Sequence, residues 1–200
     1  MTSRRPAAVR RREIADAAIK LIGERGLREF TAARLASEVG ITDGTIFGHF
    51  KDMSEVAVAA FERIQERLID SMNLAVENPV ERLREFVLGR IRLALAEPET
   101  LTLLFSDHLA LAMGVEGPSR ISALRNRGRA YIASCIREAA RQDLIRADVD
   151  VEAAVLVITG VAIGFLFAGK DGALSPDSHD IEERAWRSVL RSLGGKEDFS

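Results

Sequence analysis

The stretch "GITDGTIFGHF", Gly40 to Phe50, decides how the N-terminal quarter of the chain folds. It mixes glycines, threonines and an acid with large apolar residues, so it is too polar for a core strand and too apolar for a loop. Gly40 can adopt the positive φ that a tight turn between two helices requires. Ile41, Ile46 and Phe50 are spaced so that they can pack back onto a preceding helix. The remaining small and polar positions then face outward.

Helical patterns surround this stretch on its N-terminal side. Apolar residues recur with helical spacing from Arg10 until Gly26, which predicts a first helix. Thr31 predicts the N-cap of a short second helix, and a third helix is predicted from about Asp43 to Phe50. Helices this short are marginal alone and must pack on each other. The pattern therefore predicts a helix-turn-helix, whose third helix is the candidate reader of a DNA major groove.

The remainder of the chain is predicted to be helical as well. Asp52 and Glu55 have the spacing of a capping box and open a long helix. Pro79 suits the first turn of the next helix. Further helices are expected at about 80–96, 100–112, 118–142, 151–168 and 180–193. Since no segment alternates as a strand would, the predicted fold is all-α, with a three-helix N-terminal domain and a larger helical domain after it.

Charge is unevenly distributed along the chain. Residues 1–56 contain ten Lys and Arg against eight Asp and Glu, and five of these arginines fall within the first twelve residues. Such an arm indicates either a polyanionic partner or a merely solvated tail. The single cysteine, Cys135, excludes an internal disulfide and a multi-cysteine metal site, and it fits a reducing cytoplasm. No apolar run follows the arginines as it would in a signal peptide.

The outward positions of the third helix have side chains that suit a DNA groove. Thr42 can cap the helix beside N–H groups that could hold a phosphate, and Gly44 lets the backbone approach a duplex closely. Thr45 can donate to a phosphate or touch a thymine methyl group, and Lys51 can neutralise a phosphate. Asp43 has two interpretations: it accepts from a cytosine amino group, or it only stabilises the helix N-terminus.

Residues 10–56 also resemble the DNA-binding domain of tetracycline-repressor-type (TetR) transcriptional regulators. The segments that carry the resemblance are "REIADAAIKLIGERG", "FTAARLASEVG" and "ITDGTIFGHFKD". It implies that Thr31 belongs to the motif and that Thr45 and His49 contact the DNA backbone, although His49 could instead make an internal hydrogen bond. The family usually has tyrosine at the position of Phe47. Arg34 is the remaining candidate for base contacts from the second helix.

The segment "AAVLVITGVAIGFLFA", Ala153 to Ala168, is uncharged throughout. A membrane span needs about 20 such residues, so a helix buried in the protein or against a partner subunit is preferred, with no membrane contact. Gly160 and Gly164 allow close helix approach. In the resembled family the last two helices form a four-helix dimer bundle. The expected interface residues are Gly160, Gly164, Trp186, Val189 and Leu193.

The resemblance further implies a ligand cavity among the middle helices. Apolar, aromatic and neighbouring positions there are the pocket candidates: Phe86, Leu104, Phe105, His108, Met113, Tyr131 and Cys135. Because few charges lie among them, an apolar or amphipathic effector is expected. The implied domains are a basic arm at 1–9, the helix-turn-helix at 10–56, and an effector-binding and dimerisation domain at 57–200.

Two classes of function follow from the sequence. The first is a homodimeric repressor that a small effector releases from a palindromic operator in double-stranded DNA, and the second is an all-α enzyme or small-molecule carrier. The motifs G-x-S-x-G and H-E-x-x-H are absent from the sequence, as are the phosphate-binding and dinucleotide-binding glycine motifs. The first class is therefore favoured: a cytoplasmic regulator that is not an enzyme and needs no metal or cofactor.

Overall fold

The computed structural model describes residues 6–69, 72, 75–174 and 180–195. Within these ranges the secondary structure is entirely helical, which confirms the all-α prediction. A 3₁₀ turn at Leu27–Glu29 follows the first helix. The helices are α1 Ala7–Arg25, α2 Ala32–Val39, α3 Asp43–Phe47, α4 Met53–Ile69, α5 Pro79–Ala96, α6 Pro98–Phe105, α7 His108–Ala112, α8 Gly117–Arg141, α9 Val151–Lys170 and α10 Ile181–Ser192.

Several helices begin at a residue whose side chain caps the first turn. The Thr31 hydroxyl accepts a hydrogen bond from the backbone N–H of Arg34 (3.3 Å), which caps α2. The Asp52 carboxylate accepts from the N–H of Glu55 (2.9 Å) at the start of α4. The Asn78 side chain accepts from the first N–H groups of α5, where Pro79 occupies the first turn. These caps satisfy N–H groups that have no partner inside the helix.

Three helix bounds differ from the prediction. α1 begins at Ala7, directly after Pro6, so the predicted arm at 1–9 is partly helical, and its first five residues lie outside the described ranges. α3 ends at Phe47 rather than at Phe50. The helix predicted at 100–112 is two helices, because the chain bends at 106–107 between α6 and α7. No glycine or proline marks that bend in the sequence.

The chain divides into two compact units that do not match the predicted domains. One unit contains the chain through Arg67 together with Glu99–Leu124, and the other contains Leu68–Pro98 together with the chain from Arg125 onward. The predicted boundary between residues 56 and 57 falls inside α4. Segment 99–124 joins the N-terminal unit because it packs directly on the helix-turn-helix and α4.

Several close contacts hold that first unit together. Gly23 of α1 meets α6 so closely that an added Cβ would lie 2.4 Å from the Cβ of Glu99. The Ser54 hydroxyl of α4 donates to the carbonyl of Met113 (3.1 Å). Burial of apolar surface is the dominant stabilising term for such a core. The fully buried side chains include Ile14, Leu21, Ile22, Leu35, Ile46, Phe50 and Ile64.

The second unit is built on α5, which packs against α9 and α10. Arg84 of α5 pairs with Glu183 of α10 (2.5 Å), and Arg82 of α5 pairs with Glu138 of α8. The apolar core contains Leu83, Val87, Ile91, Ile136, Ile158, Leu166 and Leu190.

Candidate functional site

The turn between α2 and α3 has the geometry that the sequence predicts. Gly40 has φ +72° and ψ 40°, in the left-handed region that favours glycine. Its N–H closes α2 through the carbonyls of Ala36 and Ser37. The chain then turns sharply and enters α3 at Asp43, so α2 and α3 pack on each other.

One face of α3 is buried and the other is exposed. Ile46 and Phe50 lie in the core, 0% and 2% exposed. Asp43 and Gly44 are exposed, and half of the Phe47 surface is exposed although its ring is apolar. The arrangement presents small, polar and aromatic groups together on one outward face, as a groove-facing helix requires.

Thr42 does not cap α3 with its side chain as the sequence predicts. Thr42 occupies the N-cap position of α3, but its hydroxyl does not cap the helix. It lies 2.9 Å from the Thr45 hydroxyl, and either oxygen can be the donor. Such a pair uses only one of the two hydroxyl hydrogens. The second hydrogen can therefore donate to an external acceptor such as a phosphate oxygen.

The other predicted contact residues surround this face at the surface. Lys51 and Thr31 are exposed. Arg34 is exposed and pairs with Glu29 (3.1 Å), so its guanidinium is partly engaged inside the protein. His49 is half-buried, and its backbone carbonyl accepts a hydrogen bond from Arg11.

Sequence reasoning missed how the arginines of α1 are used. Arg10 pairs with Glu13 one turn along the helix (2.8 Å), and Arg11 pairs with Glu55 of α4 (2.9 Å). Both belong to the cluster of five N-terminal arginines, for which either a polyanionic partner or a solvated tail was expected. The Arg10 pair has a helical i,i+3 spacing that the sequence shows, whereas no local signal links Arg11 to a residue 44 positions away. Arg4 and Arg5 lie outside the described residues.

Three of the pocket candidates come together in the second unit. The rings of Phe86 and Tyr131 are 5.3 Å apart, and Cys135 lies one turn further along α8, 1% exposed. The guanidinium of Arg90 stacks 4.5 Å from the centre of the Phe86 ring and donates to the carbonyl of Leu68 (2.9 Å). Burial lowers the pKa of Arg90 to about 10, so this side chain stays charged at neutral pH.

A second arginine, Arg82, lies close to Tyr131 and Cys135, so the cluster is less neutral than the sequence suggested. Arg82 is 12% exposed at its side chain. Its Nε is buried with no hydrogen-bond partner among the described residues. One arginine therefore lies beside each ring of the pair, Arg90 beside Phe86 and Arg82 beside Tyr131.

The other four candidates belong to the first unit. Leu104 and Met113 are buried, whereas Phe105 and His108 are exposed. His108 faces the turn after α1, 3.8 Å from the position of a Cβ at Gly26. In the described part of the chain no three His, Cys, Asp or Glu side chains cluster as metal ligands would.

We expect the single tyrosine, Tyr131, to ionise at an unusually high pH. Burial raises the pKa of Tyr131 to about 12, from about 10 for an exposed phenol. The neutral form is favoured in the folded state, so the stability that Tyr131 contributes is present below pH ~10 and is lost as the pH rises towards ~12. Tyrosinate absorbance measures this directly, since no other tyrosine contributes. Protein unfolded in guanidinium is the control, and a midpoint near the ordinary value in the folded protein would contradict the burial of this ring.

α9 has an exposed apolar stripe. Leu156, Val157 and Phe167 are 61%, 54% and 59% exposed. Gly160 and Gly164 lie on the same stripe, and a Cβ at either would meet nothing within 4 Å. The opposite face of α9 is buried in the unit's core. Within the single subunit α9 is therefore buried on one face only, and burial of the stripe against a partner subunit stays a prediction.

Trp186, Val189 and Leu193 were expected to face a partner subunit, and the structure places them in the subunit's own core instead. They are only 3–4% exposed, so a partner could cover little more of them. Ala185 and Ser188 of α10 line an apolar groove of about 450 Å³ along α9, and the exposed side of α10 also carries Arg184, Arg187 and Arg191. By length and composition alone, α9 is the one helix in the described ranges that could cross a membrane, with a mean hydropathy of 2.3.

Comparison with known proteins also indicates a bacterial regulatory protein. Residues 14–60 match the family of bacterial regulatory proteins called the tetR family. The chain is 29% identical over 105 residues to the fatty acid metabolism regulator protein of Bacillus subtilis, a match that covers 52% of this chain and 50% of that protein. The chain thus spans about half the length of this curated relative.

Solved structures match over nearly the whole chain. The ketosteroid transcriptional regulator KstR2 of Mycobacterium tuberculosis superposes with a TM-score of 0.75 at 18% identity, covering 94% of this chain and 96% of that one. AibR, solved in complex with isovaleryl coenzyme A and operator DNA, superposes with a TM-score of 0.70 at 21% identity, covering 94% and 100%. These identities establish a shared fold. The family match over residues 14–60 and the curated relative support a transcriptional regulator of the TetR type rather than an enzyme.

Proposed function

We propose that this protein is a cytoplasmic, homodimeric repressor that binds a palindromic operator and is released by a small amphipathic effector. The observation that carries the proposal is the outward face of α3, where Gly44, the Thr42–Thr45 hydroxyl pair and Phe47 stand beside the exposed Lys51. A short helix with this face suits the major groove. Phosphate contacts from the surrounding residues would set the register.

A dimer is proposed because one short helix reads too few base pairs for specific binding. Two half-sites about 34–36 Å apart need two recognition helices related by two-fold symmetry. The apolar stripe of α9 provides a self-complementary surface for this symmetry, because its glycines let a second helix approach closely. A large exposed apolar patch typically marks an interaction surface.

The test of DNA binding uses the exposed cation beside α3. We expect Lys51→Ala to weaken binding to operator and random DNA alike, and to make the dependence of log K on log salt shallower by about one unit for each subunit. Fluorescence anisotropy over a salt series measures both quantities, with the DNA that flanks the protein's own gene as the operator source.

Lys170→Ala, which removes the same charge at the end of α9, is the matched control and should leave the salt dependence unchanged. A Lys51→Ala variant with the wild-type salt dependence would remove Lys51 from the DNA interface. If the wild-type protein binds all DNA sequences equally, the proposal of an operator-binding regulator is wrong.

For the effector we propose an acyl thioester of coenzyme A. The ring pair of Phe86 on α5 and Tyr131 on α8 has the cations Arg82 and Arg90 beside it. The unused Nε of Arg82 offers a donor to an anionic group. AibR, which has the same fold, was solved with isovaleryl coenzyme A, and the Bacillus subtilis relative is named for fatty acid metabolism.

We expect an acyl coenzyme A to release the protein from its operator and to raise its melting temperature. Ligand that binds the folded state at 100 times its Kd stabilises it by about 2.7 kcal/mol. Isovaleryl and long-chain acyl coenzyme A are added to the protein–DNA complex, with free coenzyme A as the control for the nucleotide part. If neither thioester shifts the melting temperature or releases DNA, the effector belongs to another chemical class, whereas DNA binding stands as an independent result.

A further inference from the structure

Arg11 makes three contacts with the segment that follows α3. Its Nη1 donates to the backbone carbonyl of His49. Its Nη2 donates to Oε1 of Glu55 (2.9 Å). Its guanidinium carbon lies 4.1 Å from the centre of the Phe50 ring, a cation–π distance. One side chain of α1 thus contacts the end of the recognition segment and the first turn of α4.

Glu55 extends this connection to the residue that carries the exposed cation. Its second oxygen, Oε2, accepts a hydrogen bond from the backbone N–H of Lys51 (2.6 Å). This hydrogen bond and the Arg11 guanidinium hold the pKa of Glu55 below its ordinary value. Glu55 is therefore ionised at neutral pH and binds both Arg11 and the Lys51 backbone.

The contacts of Arg11 and Glu55 fix the local position of this segment and contribute little to the stability of the whole fold. The side chains of Arg11 and Glu55 are 40% and 39% exposed, and ion pairs this exposed contribute little to global stability. Phe50 is anchored independently by the apolar core, where it is 2% exposed. Backbone hydrogen bonds to the carbonyls of Gly44 and Ile46 fix the chain as far as Phe50, and the N–H of the next residue, Lys51, donates to Glu55.

We propose that Arg11 is a positioning residue for DNA binding. It acts through His49 and Glu55, and holds Lys51 and the end of α3 in the position from which they contact the phosphates. The inference rests on the proposed function, since it assumes that α3 and Lys51 meet DNA. Arg11 itself need not touch a phosphate, because each of its two terminal nitrogens, Nη1 and Nη2, already donates to a protein oxygen. A bidentate guanidinium performs this task, whereas a lysine would supply charge without the planar fork.

Glu55→Gln gives the sharpest test, because electrostatics and positioning predict opposite results. Removing a negative charge close to DNA should tighten binding if charge alone matters. If Glu55 positions the segment, its loss weakens operator binding, by roughly tenfold for a misplaced phosphate contact in each subunit. Glu62→Gln, an exposed carboxylate further along α4, is the matched control and should leave the affinity unchanged or slightly tighter.

Arg11 variants complete the experiment. We expect Arg11→Gln and Arg11→Lys to weaken operator binding comparably and to keep the wild-type salt dependence. The double variant with Glu55→Gln should be no weaker than Arg11→Gln alone, because the two residues act through one contact. Thermal melting by circular dichroism, expected to change little, separates these losses from unfolding.

Two results would overturn the proposal. One is a Glu55→Gln variant that binds as tightly as wild type or tighter. The other is an Arg11→Gln variant whose salt dependence falls by about one unit per subunit while Arg11→Lys binds normally, since that pattern identifies Arg11 as a phosphate ligand. Either result leaves the proposed regulator intact if wild type binds operator specifically, whereas a wild type that does not bind would end both.

Discussion

Gly44→Leu should abolish operator binding while leaving the fold intact. A Cβ at this position would find its nearest neighbour, the Thr42 hydroxyl, at 4.0 Å, and Gly44 is exposed, so we expect the leucine side chain to extend into solvent. Leucine also favours a helix over glycine by about 0.8 kcal/mol. The added atoms would stand where the backbone of α3 is proposed to approach the duplex. Anisotropy with operator DNA and thermal melting together measure the two effects.

Two further variants distinguish steric exclusion of DNA from a general effect of adding a leucine to the surface. Gly44→Ala adds one carbon and should lose part of the affinity that Gly44→Leu loses entirely. Ala130→Leu places the same side chain on an exposed position of α8 and should bind operator normally. Wild-type binding by Gly44→Leu would mean that this face of α3 does not enter the groove.

Gly164→Leu should convert the protein to a monomer. A Cβ at Gly164 meets nothing within 4 Å in its own subunit, and the groove there is open, so we expect the leucine to obstruct a partner rather than its own subunit. Overpacking typically costs 1–3 kcal/mol at each site, and two-fold symmetry repeats the clash. Light scattering should show the loss of the dimer, and operator binding should fall towards the non-specific range of roughly 10⁻⁴ to 10⁻⁶ M. Helical circular dichroism should be retained.

Ala130→Leu is again the control, since it adds a leucine to an exposed helix outside the stripe and should remain dimeric. A Gly164→Leu protein that is fully dimeric and binds operator as wild type does would place the subunit interface away from the exposed stripe of α9. The proposed dimer would then need a different surface.

The sequence predicted those parts of the fold that local signals control. Thr31, Gly40 and Pro79 act within a few residues of themselves, and the helix bounds that they set were found where expected. The bend at 106–107 escaped prediction because no residue type there forbids a continuous helix. It depends instead on how α6 and α7 pack in the first unit.

The candidate site shows the same division between local and distant causes. Exposure of Gly44 and Phe47 followed from the spacing of Ile46 and Phe50, which local periodicity reveals. The role of Arg11 did not, because its partners are 38 and 44 residues away in the chain. Trp186 illustrates a further limit: periodicity identifies an apolar face, but it does not tell whether the same subunit or a partner covers that face.

The way that the first unit is assembled from two separate pieces of chain limits how regulators of this type can be recombined. The DNA-binding helices and segment 99–124 form one core, in which Gly23 faces Glu99 and the Ser54 hydroxyl meets the carbonyl of Met113. A chimaera that exchanges only the chain up to Arg67 would join one parent's helices to the other parent's α6 and α7. The side chains that meet where these two pieces pack would then come from different parent proteins, and we expect them to pack poorly. Engineers who transplant the operator specificity of this protein should therefore move both pieces together.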